Sequence, residues 1–383
     1  MKYSKFFIFP ISFLMLVGCS SEVVVPSEVK FKPCSFTSDI ELHSEVQLNV
    51  FINNFDVVYD DVTWDYLEDY KLILKNEDLT KPNKVHLTWE VEVDKGSISE
   101  YKVYLSESED MSHKMSFTTS STSLDVTNLK VDTDYYWQIE AYGFKSDVAT
   151  FSTNETKIRG IDVDGVNNVR DIGGYGHIKQ GLIYRGGAFE KYNKTKKIVE
   201  TKITSKGIET IKNELGIKTE VDLRRNDPSE HENCDLTSST VPGLSYIALP
   251  MQYGGHDILT WDDEYHNPTK IKSFFELLSD EKAYPIYMHC SQGKDRTGCL
   301  AYLVESLLGV DSTSLYMDYL YSSLSNYDNF VNRRGIDDNY GNTLKKYGSE
   351  EMSQSEKVYS YLNEVIGLSK ETLDSVINIL SVK

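Results

Sequence analysis

The 383-residue sequence predicts a multi-domain protein, an all-β sandwich in the N-terminal half followed by an α/β domain. Three observations predict it. Strict alternation places Val85, Leu87, Trp89, Val91 and Val93 on one side of an extended run and His86, Thr88, Glu90 and Glu92 on the other, the period of a half-buried strand. Four more short apolar runs, at 101–105, 124–126, 135–141 and 148–151, are separated by Ser, Thr, Asp and Gly, the rhythm of a sandwich. Beyond residue 156, short apolar runs alternate with helical patterns, the order of an α/β domain.

Charge narrows the partners. With 40 Lys+Arg against 59 Asp+Glu the net charge is −19, a field that repels phosphate backbones, so no nucleic-acid partner is expected. An anionic ligand requires a locally focused positive site.

In chain order, Lys2 and Lys5 lead into an apolar run over 6–17, too short to span a bilayer. It ends Leu16-Val17-Gly18-Cys19-Ser20. This region order resembles a bacterial lipoprotein signal. The resemblance implies removal of residues 1–18, lipid on Cys19, a membrane partner reached through that lipid, and a location in the bacterial cell envelope. Residues 19–30 then read as a polar tether. Residues 31–80 remain unassigned; within them 56–69 is acidic and aromatic, with Trp64 and Tyr66 and no basic residue.

The sandwich is expected over 81–153. Trp89 on an early strand, with Leu129, Thr133 and Tyr135 at the start of a later one, resembles a fibronectin type III domain, which implies that Tyr135 is its corner tyrosine. The aromatics fall on the inward phase of their strands and read as core. Nothing here has catalytic spacing, so the module reads as a spacer, with protein or glycan as the class of any ligand. Residues 153–156 mark the boundary, and 157–383 form the α/β domain, closed by helical patterns at 355–366 and 370–380.

The chemistry lies in one loop. An apolar run over 284–288 leads into His289-Cys290-Ser291-Gln292-Gly293-Lys294-Asp295-Arg296-Thr297-Gly298, and an amphipathic helix follows over 299–308. A strand, a glycine-containing loop and a helix N-terminus make an anion site, with backbone N–H groups and the positive end of the helix dipole converging. Cys290 starts the loop where a thiolate is stabilised. Arg296, six residues on, can curl back to offer its planar fork of donors. Lys294 adds a second positive charge.

The HCxxGKDRTG loop is accompanied by Asn168-Val169-Arg170-Asp171-Ile172-Gly173-Gly174-Tyr175, Tyr184-Arg185-Gly186-Gly187, Val221-Asp222-Leu223-Arg224 and Asp318-Tyr319. In this order the motifs resemble the bacterial protein-tyrosine/serine phosphatase family, secreted subgroup. The resemblance implies a cysteine-dependent phosphatase domain without metal or cofactor. Cys290 would attack phosphorus and form a phosphocysteine, Arg296 grip the equatorial oxygens, and Thr297 assist the leaving thiolate. Ser291, Gln292, Gly293 and Lys294 would line the phosphate site. His289, Arg170 and Arg185 would support the loop, the two arginines by bracing it through a carboxylate. The general acid is expected to be Asp295, beside the loop Arg, with Asp222, which ends a strand facing the crevice, as the alternative; Asp257, Asp262 and Asp263 are weaker candidates.

Phosphotyrosine, phosphoserine/threonine and, because of Lys294, phosphoinositide or inositol phosphate substrates remain open. A catalytically silent phospho-ligand binding protein is the alternative class; a rhodanese-type sulfur transferase fits the loop length less well. The five cysteines, Cys19, Cys34, Cys234, Cys290 and Cys299, have no short paired spacing, so neither a disulfide framework nor a zinc site is indicated. A Cys34–Cys234 bridge is open, and Cys299 reads as core.

Overall fold

Val29 and Phe31 alternate with Lys30 and Lys32, and this short run is the first strand, β1 (Val29–Pro33). It lies in the stretch read as tether and unassigned segment, yet it pairs antiparallel with β2 (Val85–Val93), Val29 opposite Val93 and Pro33 opposite Trp89. A computed structural model describes residues 24–53, 77–193, 195–225, 237–254, 257–262, 264–325 and 333–382. The signal and Cys19, the 56–69 stretch, Cys234 and Asp263 lie outside them. No helix among the described residues is long and apolar enough to cross a membrane.

The sandwich continues through β3 (Tyr101–Ser106), β4 (Met115–Thr119), β5 (Ser123–Val126), β6 (Asp134–Ala141), β7 (Phe144–Lys145) and β8 (Ala149–Ser152). One sheet runs β1-β2-β5; the other runs β4-β3-β6, with β7 and β8 both paired along β6. Their inner faces bury Leu87, Trp89, Val103, Leu105, Trp137 and Ile139. Trp89 meets Tyr101 edge-on with centroids 5.3 Å apart, and Tyr135 stacks on Phe151 at 5.3 Å. The Tyr135 hydroxyl accepts the backbone N–H of Lys130 at 2.8 Å, the bond that closes a tyrosine corner.

The α/β domain begins with β9 (Arg159–Gly160), β10 (Arg170–Asp171) and β11 (Ile183–Gly186). A hairpin, β12 (Glu190–Asn193) and β13 (Ile198–Thr201), precedes helix α1 (Ser205–Glu209), whose N-cap Thr204 accepts from Gly207 N–H. Then come β14 (Thr219–Asp222), β15 (Ser245–Ala248), α2 (Asn267–Leu278), β16 (Ile286–His289), α3 (Asp295–Leu307) and α4 (Ser312–Tyr321). Helices α5 (Gln354–Glu364), opened by a Ser353–Glu356 capping box, and α6 (Lys370–Leu380) close the chain. The six-stranded sheet has the order β15-β14-β16-β11-β10-β9, parallel from β15 to β11. Both faces of β16 are covered, as central parallel strands require. Ile286 and Met288 join the core of Phe274, Leu300 and Leu303, while Tyr287 points to the other side and stacks on Phe189 at 4.8 Å.

The two modules are docked on each other, a contact that the sequence reading did not foresee. Buried Arg159 donates through Nη1 to Asp171 Oδ2 at 2.7 Å, and through Nη2 and Nε to the carbonyls of Asn128 (2.7 Å) and Leu129 (3.1 Å) in the sandwich. Gln180 makes two bonds to the backbone of Val131, and Asn128 accepts Asp162 N–H while donating to Glu214. His43 Nε2 lies 2.7 Å from Ile158 O, so part of 31–80 is fastened to the α/β domain as well. Contacts made through backbone oxygens depend on exact relative placement, which a loose spacer lacks.

Candidate active site

Between the end of β16 and the start of α3 the polypeptide makes a five-residue turn, 290–294, and every one of its carbonyls has a partner. Cys290 O faces His289 Nδ1 at 3.2 Å, and Ser291 O accepts Ala188 N–H at 3.3 Å. Gln292 O accepts the Asn168 carboxamide N–H at 3.0 Å, and Gly293 O accepts Arg185 Nη2 at 2.8 Å. Lys294 O accepts Gly298 N–H at 2.7 Å. In a trans peptide N–H and C=O point to opposite sides, so holding the Ser291, Gln292 and Gly293 carbonyls from outside the turn directs the amides that follow them to its inner side. Gly293 has φ +71°, and a Cβ there would lie 2.3 Å from the carbonyl carbon and oxygen of Gly186; only glycine closes this turn. The Lys294 side group does not cap the start of α3, leaving its first turn open to an anion.

The loop rests on a buried ion cluster. Arg185 reaches the Gly293 carbonyl with Nη2 and pairs with Asp318 Oδ2 through Nη1. Arg170 Nε donates to Asp318 Oδ1 at 2.6 Å and Nη2 to Asp318 O at 2.7 Å, while Nη1 holds Asn168 Oδ1 at 2.7 Å. Arg170 and Arg185 thus brace the loop through one carboxylate. Burial pushes the Asp318 carboxyl up, but Arg170 and then Arg185 outweigh it and hold it below the usual range.

Cys290 is 3% exposed. Burial raises its thiol, but the charge of Arg296, then hydrogen bonds from the Thr297 hydroxyl and backbone N–H, bring it below the ordinary value against the opposing charge of Asp295. Arg296 lies over the Tyr253 ring, 4.3 Å from its centroid, and donates to Leu223 O at 3.1 Å. Lys294 and Thr297 are buried, Ser291 and Gln292 half-buried. Because the thiolate is the reactive form, alkylation of Cys290 by iodoacetamide should titrate with a midpoint below the ordinary cysteine value of about 8.5. Arg296→Ala should raise that midpoint by about one pH unit, read on the Cys290 peptide by mass spectrometry; an unmoved midpoint would remove Arg296 from the thiolate's surroundings.

Behind the loop, His289 lies beside the stacked rings of Phe189 and Tyr287, 5.6 Å from each, with Nε2 2.9 Å from Glu220 Oε1. Burial lowers its pKa, but Asp222 and Glu220 raise it further, so the net shift is upward. An imidazolium there donates from both nitrogens, to Glu220 and to the Cys290 carbonyl. Glu220, Asp222 and His289 bring ligand atoms within 4.8 Å of one another, but the cation on Asp222 is the guanidinium of Arg224, at 2.6 Å.

That pairing also corrects the alternative acid. Asp222 accepts Arg224 from Nε and Nη2, and the Tyr246 hydroxyl at 2.9 Å. Although burial opposes it, His289 and Arg224 hold the Asp222 carboxyl down at about 2, so at neutral pH it has no proton to give. Asp295 is half-buried at the first turn of α3, with the Tyr319 hydroxyl donating to it at 2.9 Å. Asp257 is engaged by Thr343 and Leu259 N–H, and Asp262 by His266 at 2.6 Å on the surface.

Sequence reasoning left four supporting residues without roles: Asn168, Asp318, Tyr319 and Tyr253. Asp318 had a usable signal, since it is the one acid among the apolar residues of α4 and a buried carboxylate demands a partner. Cys34 and Cys299 are free thiols; Cys34 accepts Thr88 N–H at 3.5 Å, and burial pushes the Cys299 thiol well up.

Residues 161–382 match the family model described as "Tyrosine phosphatase family", and residues 77–154 the one described as "Fibronectin type III domain". OCA1 of Meyerozyma guilliermondii, provisionally named a tyrosine-protein phosphatase, is 28% identical over 108 residues, which are 28% of this protein and 56% of that one. The sequence therefore spans about half the length of that curated relative. Among solved structures, the core catalytic domain of the PP-IP phosphatase SIW14 from S. cerevisiae, in complex with citrate, is 17% identical. It covers 41% of this protein and 79% of that one, with a TM-score of 0.27. TpbA of P. aeruginosa is 16% identical, covering 42% of this protein and 77% of its own length, with a TM-score of 0.26.

Proposed function

The chain belongs to the tyrosine phosphatase family, and from that premise we propose that it hydrolyses phosphomonoesters through a phosphocysteine intermediate, phosphotyrosine first among them. The observation that carries this reading is the loop whose Ser291, Gln292 and Gly293 carbonyls are held from outside it, around a Cys290 of lowered pKa. In the first step the Cys290 thiolate attacks phosphorus in line, the P–S bond forms and the ester P–O bond breaks. The leaving oxygen takes a proton from Asp295. Inward amides and Arg296 hold the equatorial oxygens throughout. In the second step water attacks phosphorus, gives its proton to the Asp295 carboxylate, and the P–S bond breaks. The Thr297 hydroxyl, buried in the first turn of α3 without another partner among the described residues, stabilises the departing thiolate.

Lys294, buried inside the loop, is the focused positive charge that a protein of net charge −19 requires. It keeps phosphoserine/threonine peptides and phosphoinositides or inositol phosphates within the range of substrates. Export and anchoring through lipid on Cys19 are part of the same proposal and rest on the N-terminal pattern.

The test is phosphate release by the purified protein from residue 20 onward, without added metal and in reductant. A phosphotyrosine peptide, a phosphoserine peptide and a phosphoinositide are compared. Release from the phosphotyrosine peptide at the highest kcat/KM is expected. Preference for the phosphoinositide would move the assignment to lipid phosphate; binding without release from any substrate would favour a phospho-ligand binding protein.

A further inference from the structure

Asp78 reaches the catalytic loop from outside the α/β domain. It stands in the stretch that leads into β2, and its Oδ2 accepts the backbone N–H of Asn168 at 3.0 Å. Its Oδ1 is fixed by Thr80, through the hydroxyl at 2.6 Å and the N–H at 3.2 Å. Asn168 is fully buried with φ +61°, a left-handed backbone that Asn takes more readily than other non-glycine residues but that still needs holding. Its carboxamide then binds the Gln292 carbonyl at 3.0 Å and Ser322 Oγ at 3.1 Å. Two hydrogen bonds therefore separate Asp78 from the turn that surrounds Cys290.

The Asp78 stretch is itself anchored on both sides. Leu79 N–H donates to Leu324 O at 3.0 Å, and Gln47 Nε2 holds the carbonyls of Leu79 (2.5 Å) and Lys81 (2.8 Å). Lys81 pairs with Asp162 at 2.6 Å. Against Thr80 O, Gly160 packs so closely that a Cβ would approach to 2.4 Å.

We propose that Asp78 is a positioning residue for the catalytic loop: it fixes the left-handed Asn168, Asn168 fixes the Gln292 carbonyl, and the N-terminal half thereby sets the reactivity of Cys290. The inference rests on the proposed role of Cys290 but predicts a property of the loop itself. Without the acceptor, the Asn168 backbone relaxes, the Gln292 carbonyl loses its donor, and the amides turn partly away from the sulfur.

Three variants of the full-length protein test it: Asp78→Ala, the near-isosteric Asp78→Asn, and Gln180→Ala, which breaks another contact between the modules without touching Asp78 or Asn168. The readouts are the pH midpoint of Cys290 alkylation by iodoacetamide, kcat and KM for an aryl phosphate, and the melting temperature. Asp78→Ala is expected to raise the midpoint by about half a pH unit and to lower kcat about tenfold, since small misplacements of reacting groups cost this much or more; KM changes less. Asp78→Asn falls between Asp78→Ala and wild type, and decides the matter if the alanine variant fails to fold. Gln180→Ala lowers the melting temperature and leaves midpoint and kcat as in wild type. An unmoved midpoint in both Asp78 variants, or an equal shift in Gln180→Ala, overturns the proposal. Alkylation needs no substrate, so a shifted midpoint in a protein that releases no phosphate sustains this inference while the proposed activity fails.

Discussion

Cys290→Ser is expected to lower phosphate release by roughly 10⁴-fold or more, the scale on which loss of a nucleophile acts in enzymes that pass through a covalent intermediate. Arg296, Thr297 and the helix start bring a thiol below its ordinary pKa, but a serine hydroxyl begins so much higher that the same surroundings leave it protonated. The carbonyl-holding contacts of the turn do not involve the sulfur, so the variant should still bind inorganic phosphate. Single-turnover release and calorimetric phosphate binding measure the two separately. A residual rate within tenfold of wild type would place the nucleophile elsewhere; loss of phosphate binding along with rate would mean that the sulfur shapes the bowl as well as reacting in it.

Asp318→Ala should be the most destabilising single change in the domain. Its carboxylate is buried and bonded to Arg170 and Arg185, both fully buried. Removing one partner of a buried ion pair costs about 3–5 kcal/mol because the remaining charge is uncompensated. Next to it, Glu305 is buried and its carboxyl is raised well above the usual range, first by burial and then by the charge of Asp318, against the pull of the arginines. With Asp318 gone, Glu305 can ionise and answer part of the arginine charge. The double variant Asp318→Ala, Glu305→Gln should therefore lose more than the sum of the two single losses. Urea unfolding gives all three values; a single loss under about 1 kcal/mol would mean that the cluster contributes no more than a surface pair.

Much of this was legible in the sequence because the decisive residues are contiguous. From His289 to Thr297 the loop is one run, and strand, turn and helix follow from apolar periodicity and one glycine. Five of the sandwich strands were equally plain, since their alternation has period two and no competing helical phase; β4, which buries no side chain fully, and the two-residue β7 were not read. β1 was missed because five residues with two lysines, Lys30 and Lys32, fall below what periodicity can resolve, and its partner β2 lies far along the sequence. The choice between Asp295 and Asp222 could not be made from strand ends alone. Asp222 does end β14 toward the crevice, but Arg224 folds back two residues later and takes its charge. The docking of the two modules was not legible for a different reason. The docking contacts use the carbonyls of Asn128, Leu129 and Ile158 and the backbone of Val131, and every residue type carries those atoms.

The groups that hold the turn around Cys290 bear on the order of events in a newly made molecule. Gln292 O and Gly293 O are held from 124 and 108 positions upstream, and Ser291 O is held by Ala188, which precedes even the β12–β13 hairpin. Contacts of such sequence separation form late, because loop closure must precede them. Until then the sulfur is an ordinary thiol, mostly protonated at neutral pH and slow toward oxidants. Nucleophilicity is thus acquired at maturity, and a half-made molecule is spared the oxidation to which the finished one is exposed.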